Sequence, residues 1–330
     1  MTEKKGIILS GMRPTGKLHL GHLVGALENW VELQESYKCY FLVADLHVLT
    51  TGFVKSAEIP ENTYEMVCDW LAVGLDPQRS TFLIQSKVPE HSELNLIFSM
   101  ITPMPWVERN PTLKQMVADL DLSGKIQFGL MGYPILQAAD ILLYRANLVP
   151  VGEDQVAHVE MTREIARRFN HLYKKVFPEP AAKLTATPRL PGLDGKKMSK
   201  SLGNCIYISD DDPTVKKKVR QMITDPQKVR MGDPGRPEVC SVYAYHGIFN
   251  RDSEEEITSG CRAGALGCVE CKNRLAAVIG TLLDPLRERR SRYSGDREKV
   301  RELLIEGSKI ASARAAETMS LVRHAMGMEF

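Results

Sequence analysis

The sequence lacks the features that mark membrane-spanning, exported and strongly basic proteins. It has no uninterrupted apolar run of membrane-spanning length, and no positively charged leader followed by an apolar core at its N-terminus. The formal net charge is only +2, so any contact with RNA must come from local patches. Internal repeats and low-complexity segments are also absent. We therefore expect a cytoplasmic protein that does not bind a membrane.

Cysteine is not scarce, but a disulfide framework is not expected in a cytoplasmic chain. Of the seven cysteines, Cys39, Cys68 and Cys205 stand singly in apolar contexts, which favours small core residues. The other four lie close together late in the chain: Cys240, Cys261, Cys268 and Cys271. Four thiolates in a short irregular region predict either structural zinc or an iron–sulfur cluster. Structural zinc is the commoner of the two, yet zinc ribbons favour two close pairs and only one is present here.

Composition and hydrophobic patterning predict an α/β protein. At 330 residues, with 43% hydrophobic and 25% charged residues, the chain can build two domains, each with its own core. Apolar runs at 7–9, 39–45, 82–86 and 148–151 predict strands, and helical patterns such as 61–73 lie between them. This alternation favours a parallel sheet with helices on both faces, which binds ligands at the carboxyl ends of its strands.

The first candidate site follows the first strand. Residues 7–25 read IILSGMRPTGKLHLGHLVG, so a glycine-rich turn leads into a helical pattern. Glycines let a ligand approach the backbone, and a helix N-terminus attracts phosphate. His19 and His22 flank Gly21 and would donate hydrogen bonds to the phosphates of a nucleotide. The dehydrogenase spacing G-x-G-x-x-G is absent, and a histidine near a helix start is otherwise a cap or a surface residue.

The second candidate site is a basic loop. Residues 195–203 read GKKMSKSLG, which places Lys197 and Lys200 in a glycine-flanked segment suited to clamp a leaving pyrophosphate. By itself the loop would be explained as a solvated basic surface. Together the two stretches resemble the paired HIGH and KMSKS motifs of class I aminoacyl-tRNA synthetases, here HLGH and an unbroken KMSKS. The resemblance implies an aminoacyl-tRNA synthetase that uses ATP with Mg²⁺.

A third candidate site lies on the predicted helix 135–145. There Gln137, Asp140 and Tyr144 share one face that is otherwise apolar. A buried carboxylate is costly without a partner, so Asp140 caps, forms a salt bridge or accepts a hydrogen bond from a ligand. His47, just after the second strand, is either ligand-facing or part of a capped turn. Residues 152–155 (GEDQ) follow the strand 148–151, where a ribose and an amino acid could meet, although acids also favour an ordinary helix start.

A closer resemblance covers nearly the whole chain. The segments SGMRPTGKLHLGHLVGALENW, YPILQAADILLY, VPVGEDQ and KMSKS together resemble the bacterial tryptophanyl-tRNA synthetases. The resemblance implies that Asp140 accepts the indole N–H of tryptophan. The other tryptophan contacts it implies are Tyr133, Gln155, Gln137, Gly11 and His47. The ATP contacts it implies are Arg13, Pro14, Thr15, Gly21, His22, Gly152, Glu153, Asp154, Leu190, Lys197, Met198, Ser199, Lys200 and Ser201. The catalytic residues it implies are His19, His22, Lys197 and Lys200.

The resemblance also implies the organisation of the chain. A Rossmann-like parallel-sheet catalytic domain would span 1–204, and a helical anticodon-binding domain with the four-cysteine site would span 205–330. A small subset of these synthetases has a similar cysteine pattern and a 4Fe–4S cluster, which makes the cluster the better prediction and structural Zn²⁺ the alternative. The implied partners are tRNA(Trp), L-tryptophan, ATP and a second copy of the chain, contacting around 100–150; DNA is not expected.

Two departures keep other interpretations open. Many relatives carry Asn at the position of His22 and Met at the position of Gln137. Gln followed three residues later by Asp is also how tyrosyl enzymes recognise a phenol, so tyrosyl-tRNA synthetase is the alternative. A cluster-bearing nucleic-acid or redox protein would have broken ATP motifs, whereas both motifs are intact here. A superfamily adenylyltransferase would not account for the KMSKS loop or the C-terminal third.

Overall fold

A five-stranded parallel sheet organises the fold. The computed structural model describes residues 4–119, 126–184 and 190–329, without the side chains of Asp119, Asp154 and Ser201. The strands are β1 (Ile7–Met12), β2 (Lys38–Val43), β3 (Ser80–Ile84), β4 (Leu148–Val151) and β5 (Ala181–Leu184). Their order across the sheet is β3-β2-β1-β4-β5, and every neighbouring pair is parallel. The predicted α/β class and parallel sheet are confirmed.

The central strands are buried on both faces, which explains their continuous apolar sequence. In β2 the five residues from Cys39 to Val43 are all buried. The four predicted strands are present with ends shifted by a few residues. The sequence did not predict β5, whose residues Ala181–Leu184 are half-buried or exposed and therefore lack a strong apolar run.

Helices surround the sheet and connect its strands. Up to β5 they are α1 (Leu20–His22), α2 (Glu28–Ser36), α3 (Asp45–Gly52), α4 (Ile59–Val73), α5 (Glu90–Ile101), α6 (Met104–Glu108), α7 (Pro111–Asp119), α8 (Phe128–Leu143) and α9 (Val156–Leu172). A π-helical turn, Leu23–Leu27, joins α1 to α2. The helical pattern predicted after the glycine-rich turn is therefore three consecutive segments. In α8, Pro134 lies inside the helix, which begins seven residues before the predicted start at 135.

The C-terminal part is helical. Its helices are α10 (Asp212–Gln221), α11 (Ser241–Phe249), α12 (Glu254–Arg262), α13 (Cys268–Ser291) and α14 (Arg297–Met326). Asp211 caps α10 by accepting a hydrogen bond from the Thr214 backbone N–H, as the acidic start of the segment predicts. Within the described ranges, no helix combines the length and apolar character needed to cross a bilayer.

Hydrophobic cores are shared between the sheet region and the C-terminal helices. One core cluster joins Ile8, Leu20 and Phe82 of the sheet region to Leu283 of α13. A second cluster joins the sheet region to Met319 and its neighbours on α14. The two C-terminal helices bury their apolar faces against the sheet region, so hydrophobic side chains from both sides of residue 204 share each core. The boundary at 204 stays a prediction about function rather than about packing.

The topology places a crevice beside β1. The chain runs from β1 to β2 and β3 on one side, and later to β4 and β5 on the other. Loops that leave β1 and β4 at their carboxyl ends therefore separate in opposite directions. Ligands of open parallel sheets bind at such a reversal of strand order.

Candidate active site

A cleft of about 380 Å³ opens at the carboxyl ends of β1 and β4, where the topology predicts it. We call it the sheet-end cleft. The predicted site residues that line it are Gly11, Arg13, His47, Tyr133, Gln137, Asp140, Gly152 and Gln155. Residues that sequence reasoning did not single out also line it, among them Ser10, Thr50, Met116, Val151 and His158. Most of them lie at strand ends or on helix faces that are distant in sequence and meet only in the folded chain.

Asp140 lies at this cleft and is almost fully buried, with 2% of its surface exposed. Its Oδ2 accepts a hydrogen bond from His47 Nε2 at 2.9 Å. The Gln85 amide nitrogen donates to both carboxylate oxygens, at 2.8 Å to Oδ1 and 2.9 Å to Oδ2. His91 Nδ1 lies 2.6 Å from Oδ1. The carboxylate is therefore partnered by three side chains, which resolves the anomaly of an acid on an apolar helix face.

These partners keep Asp140 ionised. Burial raises its pKa, but the electrostatic interaction with His91 and the hydrogen bonds from His47 and His91 outweigh burial and lower the pKa to about 2. The sequence indicated His47 but missed Gln85 and His91, which follow β3 in the chain. Their distance in sequence from Asp140, 55 and 49 residues, left no local signal.

Tyr133 is held in the cleft wall by a second network. The Asn110 amide nitrogen donates to His158 Nδ1 at 2.9 Å, and the Asn110 Oδ1 accepts from the backbone N–H of Thr112. His158 must then carry its proton on Nε2, which lies 2.9 Å from the Tyr133 hydroxyl. The Tyr133 hydroxyl proton stays available to an acceptor in the cleft. Burial raises the pKa of Tyr133 to about 12, so the phenol remains protonated.

The two histidines of the HLGH turn lie against each other. Their ring centroids are 3.8 Å apart, and the His19 backbone N–H donates to His22 Nδ1 at 3.2 Å. The proton of a neutral His22 ring must therefore sit on Nε2. His19 Nδ1 is buried and has no hydrogen-bond partner among the residues that the structure describes. Gly21 leaves space beside the rings, because a Cβ there would approach the His19 ring to 3.0 Å.

Both imidazoles are neutral at neutral pH. Burial, with the charge of Lys200 as the second cause, lowers the pKa of His19 to about 4. Burial, His19 and Lys200 together lower the pKa of His22 to about 2. A neutral imidazole carries one N–H donor and cannot act as a fixed positive charge. The cationic charge at this end of the site has to come from lysine and arginine.

The KMSKS loop docks on the turn that follows β1. The Lys200 ammonium donates to the carbonyl of Thr15 at 3.2 Å, to its hydroxyl at 3.0 Å and to the carbonyl of Gly16 at 3.0 Å. Met198 also approaches the HLGH turn, because a Cβ on Gly21 would lie 3.2 Å from its sulfur. Lys200 and the turn residues that it contacts are 184–185 residues apart in the chain but adjoin in space, as the synthetase interpretation requires.

Backbone hydrogen bonds hold the two motifs together beyond the loop itself. The Leu20 N–H donates to the Ile206 carbonyl at 3.0 Å, and the Ile208 N–H donates to the Leu18 carbonyl at 2.9 Å. The base of the loop is also braced, since Asn204 accepts from the Ser199 N–H at 2.8 Å and donates to Asp194 at 2.7 Å. The Lys200 end is therefore anchored, whereas Lys197 is exposed.

Other predicted ATP contacts lie outside the cleft lining. Pro14 is buried in the turn, Glu153 is exposed, and Leu190 belongs to the second core cluster. The structure places Gly152 at the cleft but not Glu153. The side chains of Asp154 and Ser201, predicted at the ribose and in the KMSKS loop, lie outside the described part of the structure.

The four late cysteines lie in one region of the helical part. Cys268 and Cys271 are on the first turn of α13, Cys261 is near the end of α12, and Cys240 immediately precedes α11. All four thiols are free and partly buried. Over the ranges described, no three His, Cys, Asp or Glu side chains are arranged as ligands of a metal ion. The structure therefore brings the cysteines near one another without forming a closed metal site.

Comparisons with known proteins agree with this geometry. Residues 1–284 match the family model of class I tRNA synthetases (W and Y). The tryptophan–tRNA ligase of Thermotoga maritima is 49% identical, over 98% of this chain and 99% of that protein. The corresponding ligase of Aquifex aeolicus is 44% identical, over 97% and 99%. A solved structure of Campylobacter jejuni tryptophanyl-tRNA synthetase, complexed with ADP and tryptophan, has 31% identity and a TM-score of 0.86, covering 97% of this chain and 99% of its own.

These relatives decide between the tryptophanyl and the tyrosyl enzyme, which the sequence left as alternatives. The two ligases quoted match nearly the full length of this chain and are named for tryptophan, not tyrosine. The match between the folds extends from the sheet into the C-terminal helices. This chain therefore belongs to the class I tRNA synthetases, among their tryptophan–tRNA ligases.

Proposed function

We propose that this protein activates L-tryptophan with ATP and transfers it to tRNA(Trp), releasing pyrophosphate and AMP. The observation that carries the proposal is the docking of Lys200 on the carbonyls of Thr15 and Gly16, in the turn that continues from the cleft residue Arg13, together with the buried acid Asp140 in that cleft. One site then holds a cationic loop for phosphates and an acceptor for an indole. These are the two parts that tryptophan activation needs.

The chemistry requires no protein nucleophile. A tryptophan carboxylate oxygen attacks the α-phosphorus of ATP, the bond from that phosphorus to the bridging oxygen breaks, and pyrophosphate leaves. A hydroxyl of the terminal tRNA adenosine, the 2′-hydroxyl by class resemblance, then attacks the adenylate carbonyl and AMP leaves. ATP enters with Mg²⁺, which offsets phosphate charge. Catalysis consists of positioning and charge stabilisation.

Lysines carry the charge stabilisation in this proposal. Lys200 and Lys197 would move from the turn and from solvent onto the phosphates as pyrophosphate forms. Because both imidazoles are neutral, His19 and His22 would act as N–H donors rather than as cations. Arg13, at the cleft, would supply fixed positive charge to the same phosphates.

Tryptophan would lie between β1 and α8. The Asp140 carboxylate, at the cleft and ionised, would accept the indole N–H. The Tyr133 hydroxyl and Gln155 would hold the α-amino and carboxylate end. A site built around such an acceptor leaves it unpaired when phenylalanine binds, and sites of this kind reject the analogue by roughly 10⁴-fold.

Pyrophosphate exchange tests this function. The protein is incubated with ATP and labelled pyrophosphate in the presence of tryptophan, tyrosine or phenylalanine. We expect exchange with tryptophan and little with the other two. Asp140→Asn, which keeps the side-chain shape, should lose most of the preference for tryptophan. Exchange that depends on tyrosine alone would overturn the proposal in favour of the tyrosyl enzyme.

We further propose that the four cysteines bind a 4Fe–4S cluster, with structural Zn²⁺ as the alternative. Thiolates are the ligands of both. Two observations support the placement. The other three cysteines act on Cys271, since burial and then their proximity raise its pKa to about 12. Gly235 leaves room for the Cys261 sulfur, because a Cβ there would come within 2.6 Å of it.

The surroundings bear on the charge of such a cluster. Arg274 pairs with Glu256 at 2.7 Å and Glu270 at 3.1 Å, so its charge is already compensated. Lys228 lies beside one of the cysteines, with its ammonium 3.4 Å from the Cys261 carbonyl. Binding requires the four sulfurs to draw together, since they do not form a ligand group as they stand.

Metal analysis decides between the two groups. Protein purified anaerobically is assayed for iron, acid-labile sulfide and zinc. We expect about four irons and four sulfides per chain, lost in Cys271→Ser and kept in Cys205→Ala, which alters a buried cysteine outside the group. One zinc and no sulfide would support the alternative. Protein that contains neither iron nor zinc would refute the proposal.

Partners follow from the same function. We propose a homodimer through the exposed apolar side chains of α5, α6 and α8, namely Leu96, Met100, Met104 and Phe128, because burying such side chains favours association. The helical segment 205–330 would contact the tRNA anticodon, and its exposed Lys216 and Lys217 suit phosphate contacts. The cytoplasm is where these substrates meet. Light scattering should give twice the chain mass, and Phe128→Asp should lower it, whereas Leu321→Asp on α14 should not.

A further inference from the structure

A chain of buried side chains extends from Asp140 away from the sheet-end cleft. His91 Nδ1 lies 2.6 Å from Asp140 Oδ1, and His91 Nε2 lies 2.8 Å from the Tyr144 hydroxyl. His91 and Tyr144 are both 0% exposed and neither lines the cleft. Their position behind the acid means that they cannot touch a ligand in the cleft. Any effect on the ligand has to pass through Asp140.

The direction of each hydrogen bond between Asp140, His91 and Tyr144 follows from the chemistry of these groups. An ionised carboxylate only accepts, so His91 must carry its proton on Nδ1 and donate it to Asp140. Nε2 of a neutral His91 then accepts from the Tyr144 hydroxyl. Burial, with the charge of Asp140 as the next cause, raises the pKa of Tyr144 well above its usual value, so the hydroxyl keeps its proton. The carboxylate and the phenol therefore favour the same tautomer of the histidine.

The two oxygens of Asp140 have different neighbours. Oδ1 accepts from Gln85 and His91, and Oδ2 accepts from Gln85 and His47. These four contacts use the roughly four acceptor positions of a carboxylate. Of the three donors, His47 alone lines the cleft within the described part of the chain. An incoming N–H can therefore reach Oδ2 most directly by taking the place of His47.

We propose that His91, backed by Tyr144, is a positioning residue for tryptophan selectivity. Together with Gln85 it holds Oδ1 on the buried side, so that Oδ2 faces the cleft and the indole N–H replaces His47 there. A carboxylate is otherwise free to rotate about its terminal torsion, which has a broad preference. Holding one oxygen in place orients the other before the substrate arrives. The inference rests on the proposed function, in which Asp140 accepts the indole N–H.

A matched pair of tyrosine variants tests the inference. Tyr144→Phe removes the hydroxyl that fixes His91. Tyr40→Phe removes a buried hydroxyl that has no hydrogen-bond partner among the described residues, and its ring stacks on Tyr144 at 4.6 Å. Each variant is assayed by pyrophosphate exchange with tryptophan and with the benzothiophene analogue, in which sulfur replaces the indole N–H.

Tyr144→Phe should lower kcat/KM for tryptophan by about 10-fold, since a hydrogen bond to a charged group is affected. The value for the analogue, and the KM for ATP, should change little. Tyr40→Phe should keep the wild-type preference for tryptophan. Equal losses for both amino acids, together with a lower melting temperature, would mean a merely structural role and would overturn the inference.

Variants of His91 and Asp140 separate this inference from the function on which it rests. His91→Asn keeps a donor near the position of Nδ1 and should retain more of the preference than His91→Ala. If Asp140→Asn loses the preference while Tyr144→Phe and both His91 variants keep it, the positioning role of His91 and Tyr144 is overturned. The proposed function then still stands. If Asp140→Asn itself keeps the preference, Asp140 is not the indole acceptor and both fail.

Discussion

At the residue scale, burial decides which charges the site can use. It makes the HLGH histidines neutral while leaving Asp140 ionised, because Asp140 has three donors and the histidines have a cation beside them. Burial and a neighbouring carboxylate have opposite effects on the pKa of Lys200. Its ammonium contacts three oxygens, yet burial lowers its pKa to about 8, with Asp69 acting in the opposite direction. In the proposed function, the Lys200 charge that would meet the phosphates therefore titrates near pH 8.

Lys200 gives the first prediction. Its ammonium is charged below pH 8 and neutral above, so kcat/KM for ATP in pyrophosphate exchange should fall as pH rises through about 8. Lys200→Arg should remove this alkaline fall, because a guanidinium stays charged. Lys200→Ala should lower the rate of adenylate formation by about 100-fold. Lys196→Ala, an exposed neighbour, serves as the control and should have little effect. An unchanged rate in Lys200→Ala at saturating ATP would contradict the clamp.

Gln137 gives the second prediction. It lies one turn before Asp140 at the cleft, in the position where many bacterial relatives carry Met. If Asp140 alone recognises the indole, Gln137→Met should leave kcat/KM for tryptophan within about threefold, as volume-conserving changes usually do. Pyrophosphate exchange with tryptophan and tyrosine measures this. If the wild type catalyses exchange with tyrosine and Gln137→Met does not, Gln137 recognises a phenol.

At the scale of elements, α13 links the helical part to the HLGH turn. Arg290, near its end, donates to Asp69 of α4 at 2.7 Å and to Glu65 at 2.5 Å. Asp69 is fully buried and accepts the Leu18 backbone N–H at 2.7 Å, one residue before His19. Basic residues of this helix could be interpreted from sequence as phosphate contacts or as a solvated face. The structure shows that Arg290 and its neighbour Arg289 bind groups of the catalytic part instead.

Arg290 gives the third prediction. Removing one partner of a buried ion pair leaves Asp69 uncompensated, so Arg290→Ala should lower the free energy of unfolding by about 3–5 kcal/mol. Arg292→Ala, just after the end of the same helix, breaks an exposed pair with Glu288 and should cost less than about 1 kcal/mol. Urea denaturation of both variants compares them directly. Similar stabilities would show that the Asp69 pair does not hold the turn in place.

At the scale of the whole molecule, the shared cores make the helical part a structural component of the catalytic part. Gly307 of α14 packs so closely on β3 that a Cβ there would come within 1.9 Å of the Phe82 carbonyl. The Ile84 backbone N–H donates to the Ser308 hydroxyl at 3.1 Å, which covers the exposed edge of the sheet. The last helix thus completes a sheet formed by the first quarter and the middle of the chain.

The fourth prediction follows from this packing. A fragment of residues 1–204 should not fold, because it loses the side chains of α13 and α14 from both core clusters and exposes the edge of β3. Circular dichroism and thermal melting should show no cooperative transition, whereas the full chain should unfold in one. A fragment with a sharp transition would restore the picture of two independent domains.

The residues of the local motifs were predictable, and their partners were not. HLGH, KMSKS and the acid of α8 are contiguous or helix-spaced, and the predicted strands follow from uninterrupted apolar runs in a sheet buried on both faces. Gln85, His91 and Asp69 carry no such signal, because each acts on a group 49 or more residues away. The short strand β5 escaped prediction since its half-exposed residues lack the apolar pattern of a central strand.

By itself, the sequence determined the fold class, the two motifs and the candidate acceptor Asp140, since these depend on local spacing and on which side chains avoid water. Only the tertiary structure decided which charges survive in the site, how Asp140 is held, and that the C-terminal helices share the core. Those properties depend on contacts between distant segments, whose burial and hydrogen bonding no local pattern encodes.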